Sequence, residues 1–187
     1  MQSPFNFIVK PVNGKRYDNT KKIGDIDLIV STSEEDHRFS NRYAEVVAVP
    51  LYYDGEIVPG DILLVHHNVF KYYNDMKGRQ KSSWNYFQDD LFFVDEEQFF
   101  LYQHDGKWKS HGRFCFVKPI AAKQSDIYKP VKEEPLMGTI RFTNGELSKM
   151  GINEGDTICF KPESEYEFHV EQEKLYRMFT SQIAIKL

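Results

Sequence analysis

Six histidines, two cysteines and several adjacent acids are the side chains that could carry bond chemistry. His66 and His67 are neighbours; in a strand they point to opposite faces and cannot easily share one ion. His104 and His111 flank the Asp105-Gly106 turn and could meet across a hairpin. A structural zinc site wants about four ligands at recognisable spacing, and that pattern is missing, so no metal ligand is assigned. Cys115 and Cys159 lie in strand-like apolar runs, where a free cysteine acts as a small buried hydrophobe. Neither has the neighbouring base that a thiol nucleophile needs. Asp89-Asp90 and Glu96-Glu97 sit beside turns as solvated charges, and nothing sets two carboxylates at a defined separation for acid–base work. The glycines stand singly in turns, without the spacing of a phosphate-cradling loop. No catalytic residue and no cofactor site is therefore assigned, and the expectation is a protein that is not an enzyme.

Two stretches read as binding surfaces. Residues 71–90 interleave Lys71, Lys77, Arg79 and Lys81 with Tyr72, Tyr73, Trp84, Tyr86 and Phe87. Such mixing can grip single-stranded nucleic acid by stacking, and Tyr72 to Phe87 could also bind a glycan, but Asp75, Asp89 and Asp90 cancel most of the charge. Packing of the aromatics or a protein contact through Tyr72, Tyr73, Arg79, Trp84, Tyr86 and Phe87 is favoured over nucleic acid. The second stretch is Lys21-Lys22-Ile23-Gly24-Asp25-Ile26-Asp27-Leu28-Ile29-Val30. As an exposed loop it offers an aliphatic tip to an apolar groove on a partner. As an ordinary strand it buries Ile26, Leu28 and Val30 by period two. The pattern alone leaves both readings open.

The elements that must position these residues are strands. The chain has 187 residues, with 15 Phe, 11 Tyr and 2 Trp, an aromatic share that suits pleated surfaces and excludes disorder as the main state. No apolar run approaches the roughly 20 residues of a membrane-spanning helix. The first residues show no secretory leader pattern, and two cysteines make no disulfide framework, so a reducing cytosol is expected. Net charge is −4, all of it in residues 1–112, while residues 113–187 are neutral. Neither part is a basic platform for nucleic acid.

The chain also resembles itself. Phe7-Ile8-Val9-Lys10-Pro11-Val12 matches Cys115-Phe116-Val117-Lys118-Pro119-Ile120, and Pro is expected to end each strand. Asp54-Gly55-Glu56-Ile57 matches Asn144-Gly145-Glu146-Leu147 as turns after a strand. Pro59-Gly60-Asp61-Ile62 matches Glu154-Gly155-Asp156-Thr157, a Gly-Asp turn opening a strand. Residues 92–102 match 167–178 as strand, acidic turn and strand. Four matches in one order imply duplication. The expected units are residues 4–111, with a long loop over 13–42 and an insertion over 71–90, and residues 112–187, a shorter copy. Only residues 179–185 read as a short helix or, equally, a last strand. The fold class is all-β.

The order Phe7-Ile8-Val9-Lys10, a long loop with Gly24 and an aliphatic tip, Ala44-Glu45-Val46-Val47-Ala48-Val49, then Val58-Pro59-Gly60-Asp61-Ile62-Leu63-Leu64-Val65 resembles the chaperonin-10 (GroES-like) co-chaperonins. Asn19-Thr20-Lys21-Lys22, Tyr52-Tyr53-Asp54-Gly55-Glu56-Ile57, Val65-His66-His67-Asn68-Val69-Phe70 and Ser164-Glu165-Tyr166-Glu167-Phe168 resemble the divergent co-chaperonin-like proteins of tailed bacteriophages. The resemblance implies two GroES-like small β-barrels in tandem, assembly into a homo-oligomer, and a mobile loop within residues 15–41. It implies that Ile26, Leu28, Ile29 and Val30 contact a GroEL-like chaperonin ring, capping it to assist folding of a viral structural protein in the host cytoplasm. The alternative is a virion structural or decoration protein built on the same barrel without docking. Asp25 and Asp27 interrupt the family's aliphatic triplet, and Ile127-Tyr128 is the only apolar dipeptide before Val131 in the second copy.

Overall fold

The computed structural model describes residues 1–17, 20–23, 26–29, 40–122 and 133–187, with 20–23 and 26–29 described by backbone pairing. It is all-β. The strands are β1 (Phe7–Pro11), β2 (Thr20–Ile23), β3 (Ile26–Ile29), β4 (Tyr43–Ala48), β5 (Ile62–Val65), β6 (Tyr72–Asn74), β7 (Gln80–Ser82), β8 (Tyr86–Gln88) and β9 (Leu91–Val94). They continue with β10 (Phe99–His104), β11 (Lys107–Ser110), β12 (Phe114–Ala121), β13 (Glu133–Phe142), β14 (Thr157–Phe160), β15 (Tyr166–Val170), β16 (Glu173–Phe179) and β17 (Ile183–Lys186). One helical turn, α1 (Gly145–Lys149), interrupts them. No helix among the described residues is long and apolar enough to cross a membrane. The chain divides into two compact units, Met1–Lys107 and Trp108–Leu187, with the division inside β11.

In the first unit, apolar residues alternate along β4 and β9 and send one face inward. Phe7, Val9, Val46, Leu63, Val65, Phe92, Val94 and Phe99 form the buried core. Phe7 meets Tyr53 and Phe99 edge-on at centroid distances of 4.9 and 5.3 Å, the geometry that the ring quadrupole favours. The sheet order is β11-β10-β5-β4-β1-β9-β8. In the second unit it is β15-β16-β12-β13-β14-β17, around a core of Cys115, Val117, Ile140, Leu147, Ile158, Phe160 and Met178. Both ladders are open, and neither closes into a barrel among the described residues.

Read in reverse, the second order is β17-β14-β13-β12-β16-β15, which corresponds strand for strand in order to β10-β5-β4-β1-β9-β8. The registers agree in detail. Val9 faces Val46 and Val117 faces Ile140, and each ladder shifts register at the preceding residue, between Ile8 and Val9 and between Phe116 and Val117. Ala44 faces Leu63, and Gly138 faces Ile158. The Gly-Asp turns are built alike. Gly60 N–H donates to the Val46 carbonyl and Gly155 N–H to the Ile140 carbonyl, both at 2.8 Å. Both glycines hold positive φ, 99° and 88°, where a side chain is strained. The Asp61 carboxylate accepts from Val58 N–H at 2.9 Å, and that of Asp156 from Asn153 N–H at 2.7 Å. Each aspartate also pairs with a base on the next strand, His104 Nδ1 at 2.9 Å and Lys186 Nζ at 2.6 Å.

The structure corrects several expectations. The fourth repeat match is displaced by one strand. β1 pairs with β9, and β12 pairs with β16 rather than β15. The equivalent turns carry Gln98 and Gln182, whose side-chain oxygens accept from Asp95 N–H (3.2 Å) and Phe179 N–H (2.8 Å). Pro11 ends β1, but Pro119 lies within β12, at a register shift between Pro119 and Ala121 that spares the ladder a missing donor. Asn144-Gly145 is not a hairpin turn, because Asn144 caps α1. The insertion is shorter than residues 71–90, since β8 belongs to the shared ladder and only the β6–β7 hairpin is extra. Residues 180–182 form a single 3-10 turn before β17.

Candidate functional site

β2 and β3 form a two-stranded sheet of their own. Thr20 faces Ile29, Lys21 faces Leu28, Lys22 faces Asp27 and Ile23 faces Ile26. Ile26, Leu28 and Ile29 therefore sit in a hairpin strand, while Val30 lies outside the described residues, as do Ile127, Tyr128 and Val131. The root of this loop is clamped. Tyr17 bridges to Ser40, and Asn41 N–H donates to the Arg16 carbonyl at 2.8 Å. Asn41 Nδ2 donates to the carbonyls of Val12 (3.0 Å) and Lys15 (2.7 Å), and Ser40 Oγ donates to the His67 carbonyl at 2.8 Å. These hydrogen bonds tie residues 12–17 to residues 40–41 at the base of the loop.

The insertion sorts its aromatics into two groups. The Arg16 guanidinium lies over Tyr72 (4.3 Å), Phe92 (4.6 Å) and Tyr86 (5.2 Å) and donates to Ser82 Oγ at 3.0 Å. Cation–π attraction of this kind fastens the β6–β7 hairpin to the ladder. Tyr72 stacks on Tyr17, whose hydroxyl accepts from Tyr72 N–H at 2.8 Å. Phe87 leans on Phe93 at 4.9 Å. Tyr73, like Tyr86 and Phe87, is about 40% exposed, Arg79 is exposed, and Trp84 is 96% exposed. Arg16 was not among the residues singled out from the sequence, because its partners lie on β6, β8 and β9, far along the chain.

His66 and His67 do not point apart. β5 ends at Val65, so both fall in the following turn, and their rings lie 4.1 Å apart. Among the described residues no group of three or more side chains could hold a metal ion. Burial pushes the Cys115 thiol up to about 12, against the pull of the Arg177 guanidinium. It is a core group, and Cys159 is half-buried.

The second unit carries a charged cluster on its ladder. Glu173 accepts from Lys118 Nζ and from Arg141 Nε at 2.9 Å, and Lys174 Nζ donates to Glu133 at 2.8 Å. The Lys118 hydrogen bond, against some desolvation, holds the Glu173 carboxyl below its ordinary value of 4.5, with Arg141 adding to it. A lowered folded-state value contributes stability above pH 4.5 that is lost as pH falls through the lowered one. Glu173→Gln is therefore expected to flatten the acid side of the unfolding profile below pH 4.5. Urea midpoints measured from pH 3 to pH 6 check this, and parallel profiles would remove the assignment.

No protein-family model and no curated protein sequence matches the chain.

Proposed function

We propose that the protein is a GroES-like co-chaperonin, with two small barrels in tandem, that binds a chaperonin ring and closes it over a folding client such as a viral structural protein. The observation that carries this reading is the β2–β3 hairpin. It is a separate two-stranded sheet, rooted by Tyr17–Ser40 and Arg16–Asn41, and it bears Ile26, Leu28 and Ile29. An aliphatic strand held outside the ladder suits an apolar groove on a partner. The duplicated six-strand order supports the tandem arrangement. The chain then works as a homo-oligomer in the host cytoplasm, without bond chemistry of its own, and ATP hydrolysis belongs to the chaperonin.

Replacing Ile26, Leu28, Ile29 and Val30 together by Ser is expected to weaken capture of a chaperonin ring in the presence of nucleotide at least about 30-fold, the roughly 2 kcal/mol of a docking anchor. Co-sedimentation with a purified ring reads this directly. Capture at wild-type strength would sink the assignment of the hairpin. A second reading, a virion structural or decoration protein, is favoured by the exposed Trp84 and Tyr73 of the insertion. Stoichiometric recovery in purified particles supports it, and absence counts against it.

A further inference from the structure

The β6–β7 hairpin, inserted between β5 and β8, has no counterpart between β14 and β15, and with the chain on either side of it, it forms a cleft. The cleft has a volume of about 270 Å³ and is lined by Asn68, Lys71, Tyr73, Ser83, Trp84 and Asn85. That is just below the usual range of ligand pockets, about 300–1,000 Å³.

Two of its lining residues, Ser83 and Asn85, are tied down. Ser83 Oγ donates to the Val69 carbonyl, tying one wall to the other. Asn85 Nδ2 donates to the Phe93 carbonyl and to Gln98 Oε1, both at 2.7 Å. This leaves Asn85 Oδ1 as an acceptor without a partner among the described residues. The Asn68 amide and the Lys71 ammonium also have no side-chain partner among the described residues. Beside these groups stand two flat rings, Trp84 at 96% exposure and Tyr73 at 40%. Trp is usually largely buried, so an indole left open beside unspent amides is out of place in a surface that only packs.

We propose that this cleft binds a short saccharide. A pyranose ring has an apolar C–H face and a rim of hydroxyls. The face matches the Trp84 and Tyr73 rings, and the rim matches the Asn68 and Lys71 donors and the Asn85 acceptor. Trp and Tyr join an apolar body to a polar edge and so serve both needs. Single-stranded nucleic acid would use the same rings, but it calls for a cationic groove along the backbone. Here Lys71 is the only cation in the lining, and Asp75, Asp89 and Asp90 lie in the same stretch. A protein hot spot would set the indole among apolar neighbours in a desolvated centre, whereas four of the six lining residues are polar. The proposal does not depend on chaperonin docking.

The test applies the full chain to an array of defined oligosaccharides of neutral hexoses, N-acetylhexosamines and acidic sugars. Binding to at least one class is expected, with a change in Trp84 fluorescence. Trp84→Ala, at a side chain that the fold does not bury, is expected to weaken that binding about tenfold or more, and Trp84→Phe to retain part of it. An unchanged far-ultraviolet circular dichroism spectrum shows that both variants are folded. No binding across the array would overturn the proposal. So would binding indifferent to Trp84→Ala, or preferential, salt-dependent binding of a single-stranded oligonucleotide.

Discussion

Asn144→Ala is expected to lower the unfolding free energy of the second unit by about 3 kcal/mol, the combined cost of a lost N-cap and of buried groups left without partners. Asn144 is buried and fully used. Its Oδ1 accepts from Leu147 N–H at 2.9 Å, which caps α1, and its Nδ2 donates to the Phe114 carbonyl at 2.9 Å and to Thr180 Oγ1 at 2.8 Å. The residue thus ties the start of β12, the only α-helical turn among the described residues and the 3-10 turn after β16. Alanine removes the acceptor of the Leu147 amide and the donor to the Phe114 carbonyl and the Thr180 hydroxyl, all in a largely buried site. Asn144→Asp keeps the cap acceptor but turns a carboxylate towards the Phe114 carbonyl. The Thr180 hydroxyl cannot relieve this freely, because it donates to the Arg113 carbonyl at 3.1 Å. At neutral pH the aspartate variant is therefore expected to fall near alanine rather than near wild type. Trp108 reports on this unit once Trp84 is replaced by Phe, and urea titration of its fluorescence gives the numbers. A loss below 1 kcal/mol for alanine would show that Asn144 does not hold these three segments together.

What could be read from the sequence was local. The Gly60-Asp61 and Gly155-Asp156 turns were legible because each is closed by its own residues: a glycine at positive φ and an aspartate accepting from the amide three residues back. The Phe7–Pro11 match with residues 115–119 was legible for the same reason, and the register shift before Val9 and Val117 shows that both copies bend at the same place. The strand after the turn was misassigned because strand, polar turn and strand look alike when slid by one element, period two carrying no label for which strand is which. The label was Gln98 and Gln182, where a side-chain oxygen closes the turn on a backbone N–H, and their surroundings differ too much for a composition match. At the candidate sites the hairpin residues were legible as an aliphatic run, but that run alone could not show that β3 pairs with β2 outside the main ladder. The insertion was legible as aromatic and basic. Which rings pack and which stay open depends on Arg16 and on Phe92 and Phe93, partners that no local pattern announces.

The two cores fill the same ladder position with different volumes, and this sets the largest single-site effect expected here. Phe7 and Cys115 are equivalent, each two residues before the register-matched valine, and both are fully buried. Phe7→Ala removes a ring held edge-on by Tyr53 and Phe99 and is expected to cost the first unit about 3–5 kcal/mol, through lost transfer energy and the cavity left behind. Cys115→Ala removes one sulfur beside Met178 and is expected to cost the second unit only about 1 kcal/mol, because little apolar area is lost. The reverse exchange is informative. Cys115→Phe must find room among Val117, Ile140, Leu147 and Met178, and overpacking of this kind costs roughly 1–3 kcal/mol. Amide hydrogen exchange in β1, β4 and β9 reads the first variant, and exchange in β12, β13 and β16 reads the other two. If Phe7→Ala and Cys115→Ala cost the same, ring packing does not distinguish the two cores. If Cys115→Phe is neutral, the second core holds unfilled space, and the equivalence of the two ladders extends to their backbones but not to their packing.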